Sequence, residues 1–516
     1  MLKRLVRGRA AAQKAHHIAY PQEIPRQHTM KQPLEETDQN LSILQQESLL
    51  KTPAPKPPSL WFSKRFLVVI FMFLCYMNTT FIRFNISIAV VEMTSSKKIG
   101  DGNSTTTQPP EFDWDSRTVA SVLSMFYYGG LVSFMGGYIV SKLGGATSCA
   151  LCLMLSGITT VLHPITLRYN FYLFMAIRFL TGVFENFLII SVSEVSSKWI
   201  LKNERSKLTS YSVSGLRVGM AIVHGFCGYL AHGWGWPMIF YATGAFSLIT
   251  SVCCFIAMKN QPSEDKWISE AELKYIESQQ ENITTSSRKN VKHPYRNMLS
   301  SAAIWALFVV RFSHMWVVTI VVTFLPLYYN DTTVESIEKI GIFSSVPNAA
   351  SIFVIPICGV LLDYSRKIHI PVTLMHKMVI GGSFAICSAL FLSSVIVSDF
   401  ILSIIAFSLI QMFLGIIILI TQIIIISVAP NSSGAVAGLV TFVSSISNIL
   451  AREMTGYMTT NRNMEEWNNC FILSSVILML SAVIFAFYGS SEPQSWSKLP
   501  SPDDLAHENQ TKKITP

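Results

Sequence analysis

An arginine in the middle of an apolar run demands a chemical reason, and two positions of this chain raise the question first. Arg83 lies between Phe73-Leu74 and Ile86-Ser87-Ile88-Ala89-Val90, and Arg178 follows Tyr172-Leu173-Phe174-Met175. A guanidinium at the centre of a membrane helix costs about 2.5–3.5 kcal/mol on insertion scales. Neither position is close enough to a helix end for the side chain to reach interfacial water comfortably. Each is therefore expected to face a wet cavity, where its forked donors bind an anion; the plain alternative is an internal ion pair that ties helices together. Glu185 follows Arg178 by seven residues, which returns it to the same face about 10 Å along the axis. That is long for direct pairing, so both groups are expected to meet partners from other helices or a ligand. A carboxylate held between desolvation and a facing arginine is suited to carrying a proton, or it serves as a structural counter-ion.

Other intramembrane polar residues extend the set. Arg217 and His314 are candidates for the cavity wall, whereas His224 is expected to be a packing histidine. Arg452 and Glu453 are adjacent and point about 100° apart, so they do not simply neutralise each other. Asn348, after Val346-Pro347, is expected to cap or kink its helix. No His-Glu-x-x-His, Gly-x-Ser-x-Gly or Walker loop occurs, so neither an enzyme nor ATP-driven transport has support. The nine cysteines show no paired metal spacing and are expected to pack as small residues; neither a metal nor a cofactor is expected.

The elements that position these groups are apolar spans. Of 516 residues, 50% are hydrophobic and 14% charged, well below the roughly 25% charge of a soluble domain. This excludes a disordered chain, a disulfide-dense scaffold and an ordinary soluble enzyme. The net charge of +9 is not a nucleic-acid signature, because the basic residues flank apolar runs where they orient a chain in a bilayer. Runs near the 20 residues a bilayer requires recur at about 66–91, 118–140, 146–166, 170–196, 208–231 and 236–258. Six more follow at about 302–328, 337–363, 371–395, 400–429, 433–459 and 467–489. The fold class expected is an all-α membrane protein of about 12 spans in two six-helix halves, 64–258 and 302–490. A polar tail (1–63), a charged linker (259–301) and a C-terminal tail (491–516) complete it.

Lys198, Lys202, Arg205 and Lys207, with Arg366 and Lys367, fall on one side together with the basic N-terminal tail. The positive-inside rule makes that side, and both termini, cytoplasmic. Asn103-Ser104-Thr105 and Asn330-Asp331-Thr332 lie on the opposite side and are candidate glycosylation sites; Asn282-Ile283-Thr284 falls on the cytoplasmic side. Glu47-Ser48-Leu49-Leu50 resembles a dileucine sorting signal, with a chance leucine pair as the simpler reading. A monomer is expected, as is a plasma-membrane or lysosomal/vesicular location.

Two six-span halves joined by a cytoplasmic linker resemble the major facilitator architecture. Arg83-Phe84-Asn85-Ile86-Ser87-Ile88-Ala89-Val90 is similar to the first-helix element of the anion:cation symporters, which include sodium–phosphate transporters, sialin and vesicular glutamate transporters. Arg178-Phe179-Leu180-Thr181-Gly182-Val183-Phe184-Glu185 resembles their fourth-helix Arg-x-x-Gln-Gly-x-x-Glu, and Ser197-Lys198-Trp199 with Glu204-Arg205-Ser206-Lys207-Leu208 resembles the segment that closes it. The resemblance covers about residues 60–500. It implies that Arg83 and Arg178 serve the anionic substrate and that Glu185 couples transport to protons. Asn85, His314 and Thr319 complete the expected substrate contacts.

The chain departs from that pattern where Ser193 replaces a fourth-helix histidine and Thr319 a seventh-helix tyrosine. It departs again where Ile424-Ile425-Ile426-Ser427 replaces a polar tenth-helix run. The C-terminal half of the cavity is accordingly expected to be markedly more apolar. That points away from glutamate or sialic acid, toward a larger amphipathic anion or altered coupling. The function expected is a secondary active symporter of an organic anion or inorganic phosphate, driven by a proton or sodium gradient through alternating access. A non-transporting membrane receptor or scaffold that keeps the fold is the alternative from another class.

Overall fold

The computed structural model describes residues 63–94, 97–99, 106–108, 111–114, 116–279, 295–332, 343, 346–367, 370–396, 400–430, 432–460 and 463–497. Glu47–Leu50, Asn103, Asn282 and the tail beyond residue 497 lie outside the described residues, as do the side chains of His224, Asn330, Arg366 and Lys367.

Among the described residues, twelve helices are long and apolar enough to cross a membrane, and the protein is a multi-pass membrane protein. The first span is α1 (Lys64–Thr94). A short antiparallel hairpin follows, β1 (Lys97–Ile99) and β2 (Thr106–Gln108), with Lys97 opposite Gln108. The second span joins α2 (Ser116–Gly130) to α3 (Gly136–Leu143) through a 3-10 turn at Leu131–Met135. Then come α4 (Gly145–Tyr169), α5 (Phe171–Trp199), α6 (Arg205–Trp234) and α7 (Trp236–Ala257). Within the linker, α8 (Glu270–Gln279) and the short α9 (Tyr295–Leu299) are helical. The seventh span is α10 (Ala302–Thr319), a π-helical turn at Ile320–Phe324, and α11 (Leu325–Thr332). The remainder are α12 (Val354–Lys367), α13 (Val372–Ile396), α14 (Phe400–Val428), α15 (Ser433–Met458) and α16 (Met464–Tyr488).

Local chemistry sets these boundaries. The Asn170 side chain accepts from the Tyr172 and Leu173 N–H groups at 2.8 and 3.2 Å, which caps α5, and Asn463 caps α16 by accepting from the Glu466 N–H at 2.9 Å. Gly144 (φ 89°) and Gly235 (φ 81°) supply the left-handed backbone at two tight helix-to-helix joints. Pro326 lacks an N–H and its ring crowds the carbonyl four residues earlier, so the ladder widens into the π turn of the seventh span. On α4, Leu151, Met154, Ile158 and Ile165 are exposed at helical spacing, as lipid contact requires, while Gly157 on the inner face meets Gly244 of α7 at close range.

The described stretch of the linker that holds α8 is folded onto the helix bundle. The fully buried Arg65 side chain donates to Glu204 at 2.7 Å and to Glu272 of α8 at 3.1 Å. Glu272 also accepts the Lys64 and Arg65 backbone N–H groups, both at 3.0 Å, so one linker carboxylate caps α1. At the same end, the first six spans meet the last six through two more carboxylates. Asp363 of α12 accepts the Ser206 and Lys207 N–H groups at 3.2 and 2.7 Å, at the start of α6. Glu194 of α5 accepts from the Ser433 hydroxyl at 3.2 Å and the Gly434 N–H at 3.3 Å, at the start of α15. A Cβ at Gly137 or Gly359 would collide with Ala435 or Ser210 across the same junction.

Removing one partner of a buried ion pair costs about 3–5 kcal/mol, because the other charge stays buried. Arg65→Ala is therefore expected to lower stability by about 3 kcal/mol. A depressed melting temperature in detergent checks this, and an unchanged one would show that the network contributes little.

Candidate functional site

One cavity lies between the first six spans and the last six, and three helices build its wall with the same spacing. Tyr76, Thr79, Thr80 and Arg83 of α1 line it at positions i, i+3, i+4 and i+7. Arg311, His314, Met315 and Val318 of α10 repeat that pattern, and so do Thr441, Ser444, Ser445 and Asn448 of α15. This spacing presents a single helix face. Asn186 of α5, Arg217 of α6 and Gln422 of α14 add further polar groups, and Tyr127 of α2 an aromatic one.

Arg311 is 6% exposed and donates from Nε to the Ser444 hydroxyl at 3.0 Å, which leaves its Nη1 buried without a protein partner. The Nε of Arg83 is likewise buried and unpartnered, and its guanidinium carbon lies 5.6 Å from the Phe126 ring centroid and 5.7 Å from that of Tyr127. His314 Nε2 lies 3.1 Å from the Leu414 carbonyl, which only accepts, so Nε2 carries the proton of that bond and Nδ1 is left without a partner. Of the seven residues singled out from sequence for the site or its wall, Arg83, Arg217 and His314 line the cavity.

The other four do not. Arg178 is 1% exposed and lies behind the wall, where it donates to the main-chain carbonyls of Ile82 at 3.3 Å and Arg83 at 3.5 Å, with Phe126 stacked at 5.1 Å. The expected wet placement of Arg178 is thus corrected: its charge is met by helix carbonyls and a ring face. Asn85 sits two residues from Arg83, hence on another face of α1, and donates to the Thr243 hydroxyl at 3.0 Å. Thr319 points its hydroxyl at Asn448 Oδ1, 2.8 Å away, and so holds a cavity residue from behind. Glu185 is fully buried, and its Oε1 accepts from Asn78 Nδ2 at 3.1 Å.

The expectation of an apolar C-terminal wall is also corrected. Ile424, Ile425 and Ile426 are buried in packing and absent from the lining, whereas α10, α14 and α15 contribute Arg311, His314, Gln422 and Asn448. Arg311 escaped notice in the sequence although it lies as deep in an apolar run as Arg178; the i, i+3, i+4, i+7 set that begins with it was the available signal. Arg452, without an account from sequence, lies 4.0 Å over the Tyr127 ring and donates to the Asn448 carbonyl at 3.5 Å. Asn348 accepts from Gln411 at 2.7 Å, a cross-helix bond rather than a cap, and the helix breaks into a turn at 351–353 just after it, where the Asn348 carbonyl accepts from Ser351. All nine cysteines are free, and no metal-ligating cluster occurs among the described residues.

These placements separate two kinds of arginine. Arg178→Ala leaves two helix carbonyls without their charged donor and opens a void beside Phe126, so it is expected to lose about 2–3 kcal/mol of stability. Arg83→Ala, at the cavity edge, is expected to lose less than about 1 kcal/mol. Thermal unfolding of the two variants side by side checks the difference, and equal losses would contradict it.

The comparisons agree with this architecture. A family model described as Major Facilitator Superfamily matches residues 48–452. Vesicular glutamate transporter 3 of Danio rerio is 26% identical over 477 residues, covering 89% of this chain and 80% of that protein. Vesicular glutamate transporter 2 of Homo sapiens is 24% identical over 479 residues, covering 90% and 81%. The transporter slc-17.2 of Caenorhabditis elegans is 29% identical over 474 residues, covering 86% and 95%. Among solved structures, the proton:xylose symporter XylE matches with a TM-score of 0.64 at 12% identity, over 84% of this chain and 97% of that one, a likeness of fold. The vesicular glutamate transporters are among the relatives that the α1 and α5 motifs anticipated. The chain belongs to the Major Facilitator Superfamily and is a transporter of that fold, not an enzyme.

Proposed function

We propose that the protein is a secondary active symporter of a small organic anion or inorganic phosphate, driven by a proton or sodium gradient. One observation carries this: Arg83 and Arg311, from helices on opposite sides of the linker, face a single cavity, each with one buried guanidinium nitrogen that has no partner among the described residues. A buried donor without a partner costs about 1–3 kcal/mol, more when charged, and an anion bound between the two removes that cost. Because the arginines come from the two six-span halves, 64–258 and 302–490, an anion that bridges them favours their closure around it. The halves then rock about the site to expose it to each side in turn. His314 and Asn448 supply neutral contacts, while Arg178, Asn85 and Thr319 act as positioning residues behind the wall.

Glu185 is the group we assign to coupling. It is buried, accepts from Asn78, whose neighbour Thr79 lines the cavity, and shares α5 with Arg178. Proton uptake there changes the charge behind the site without entering it. The protein would act as a monomer in a plasma or lysosomal/vesicular membrane with both termini in the cytoplasm, the vesicular option following the names of its relatives.

In proteoliposomes loaded with phosphate or a labelled dicarboxylate, Arg311→Ala is expected to reduce uptake at least about tenfold, the equivalent of one lost charge-assisted hydrogen bond. Uptake at the wild-type rate would remove Arg311, and the bridging geometry, from the function. Glu185→Gln is expected to keep substrate exchange under equal pH while losing acceleration by an imposed proton gradient. A variant that still responds to the gradient would place coupling elsewhere.

A further inference from the structure

We infer that the cavity selects anions with two or more negative charges and no ammonium group, and that Arg217 is the residue that discriminates by charge number. This deepens the anion-site assignment above and rests on it. Arg217 of α6 is 4% exposed and lies on the cavity wall beside Leu216 and Met220. With Arg83 and Arg311 it makes three guanidinium groups on one cavity, each from a different helix. The lining contains no aspartate and no glutamate. Among the described residues, none of the three forms an ion pair with a carboxylate. Glu185, the buried acid on α5, is outside the lining and forms no ion pair with the three, its Oε1 accepting from the neutral Asn78 amide.

Guanidinium groups do not shed their protons in proteins, so three of them leave an unbalanced positive charge in a poorly hydrated space. A ligand with one negative charge offsets a single arginine. One with two or three charges offsets more of them, and Arg217 is the arginine that neither Arg83 nor Arg311 duplicates, since it approaches from α6. An ammonium group on the ligand would add a fourth positive charge where no carboxylate stands to accept its three donors. The neutral oxygens of Asn186, Gln422, Thr80 and Ser445 accept hydrogen bonds but do not cancel a charge. A zwitterionic amino acid is therefore a poor ligand, even where its carboxylates match those of a good one.

Three four-carbon acids isolate these variables: butyrate with one carboxylate, succinate with two, and aspartate, which is succinate carrying an amine. Binding to the full-length protein in lipid nanodiscs at constant ionic strength, by titration calorimetry and thermal shift, reads them out. Succinate is expected to bind at least about tenfold more tightly than butyrate and than aspartate. In Arg217→Gln the succinate-to-butyrate ratio is expected to fall below about threefold, with succinate losing more affinity than butyrate, and in Arg217→Lys to stay near the wild-type value. Equal binding of succinate and aspartate by the wild-type protein would overturn the exclusion of ammonium while leaving an anion site in place. A full succinate preference in Arg217→Gln would overturn the role of Arg217. Failure of all three acids to bind would overturn the anion site itself. If Arg217→Gln does not fold, the wild-type series and Arg217→Lys decide: loss of the preference in Arg217→Lys, with the charge kept, would overturn discrimination by charge.

Discussion

Guanidinium charge held inside a bundle of apolar helices is the constraint from which the rest of this structure follows. A buried arginine that cannot neutralise itself must be given acceptors, a ring face or water. The protein uses a different solution at each depth. At the linker end, Arg65 is enclosed by Glu204 and Glu272. Deeper, Arg178 rests on the carbonyls of Ile82 and Arg83 and on the face of Phe126. Around the cavity, none of Arg83, Arg217 and Arg311 pairs with a carboxylate among the described residues, and in the proposed reading the demand for negative charge falls on the substrate. The contrast is informative because acids are available elsewhere in the fold. Their absence from this wall concentrates the positive charge where a ligand can meet it.

The contacts at the linker end show how the two sets of spans are held around that cavity. Asp363 reaches from α12 to the first N–H groups of α6, and Glu194 reaches from α5 to those of α15. Each places a carboxylate on the positive end of a helix from the other set, an interaction worth about 0.3–1 kcal/mol when exposed and up to about 2 kcal/mol when partly buried. Gly137 and Gly359 let the backbones approach closely at the same junctions. These polar contacts sit within continuous apolar packing between the two sets of spans, so in the proposed cycle an opening at this end would have to release both together.

Much of the fold was legible in the sequence because a bilayer imposes a coarse rule. Apolar runs of the right length must be helices, and α1, α5 and α14 start and end within a few residues of the runs at 66–91, 170–196 and 400–429. The candidate site was less legible, because it depends on helix phase rather than length. Asn85 shares a motif with Arg83 but faces Thr243, since two residues turn a helix by about 200°. Arg178 gives no sign in sequence that main-chain carbonyls of α1 would receive it. Ile424–Ile426 marked a real change of composition, yet α14 turns them into packing, and its polar contribution comes from Gln422. Arg311 was within reach: its spacing to His314, Met315 and Val318 matches that of Tyr76 to Thr79, Thr80 and Arg83.

The relation between α5 and α1 ties the proposed coupling group to the proposed site. Arg178 and Glu185, seven residues apart on one face of α5, both hold α1, the first through the carbonyls of Ile82 and Arg83 and the second through Asn78. Between those two grips α1 presents Thr79, Thr80 and Arg83 to the cavity. A proton arriving at Glu185 would weaken its hold on the Asn78 amide, because a charged acceptor bonds about twice as strongly as a neutral one. Arg178 would keep its grip, since its acceptors are carbonyls that do not titrate. Protonation would therefore loosen α1 at Asn78 while the Arg83 end stays anchored, and the displacement would fall on the face that lines the cavity. On this geometry, proton and substrate need not share a binding group to be coupled; they need only share a helix.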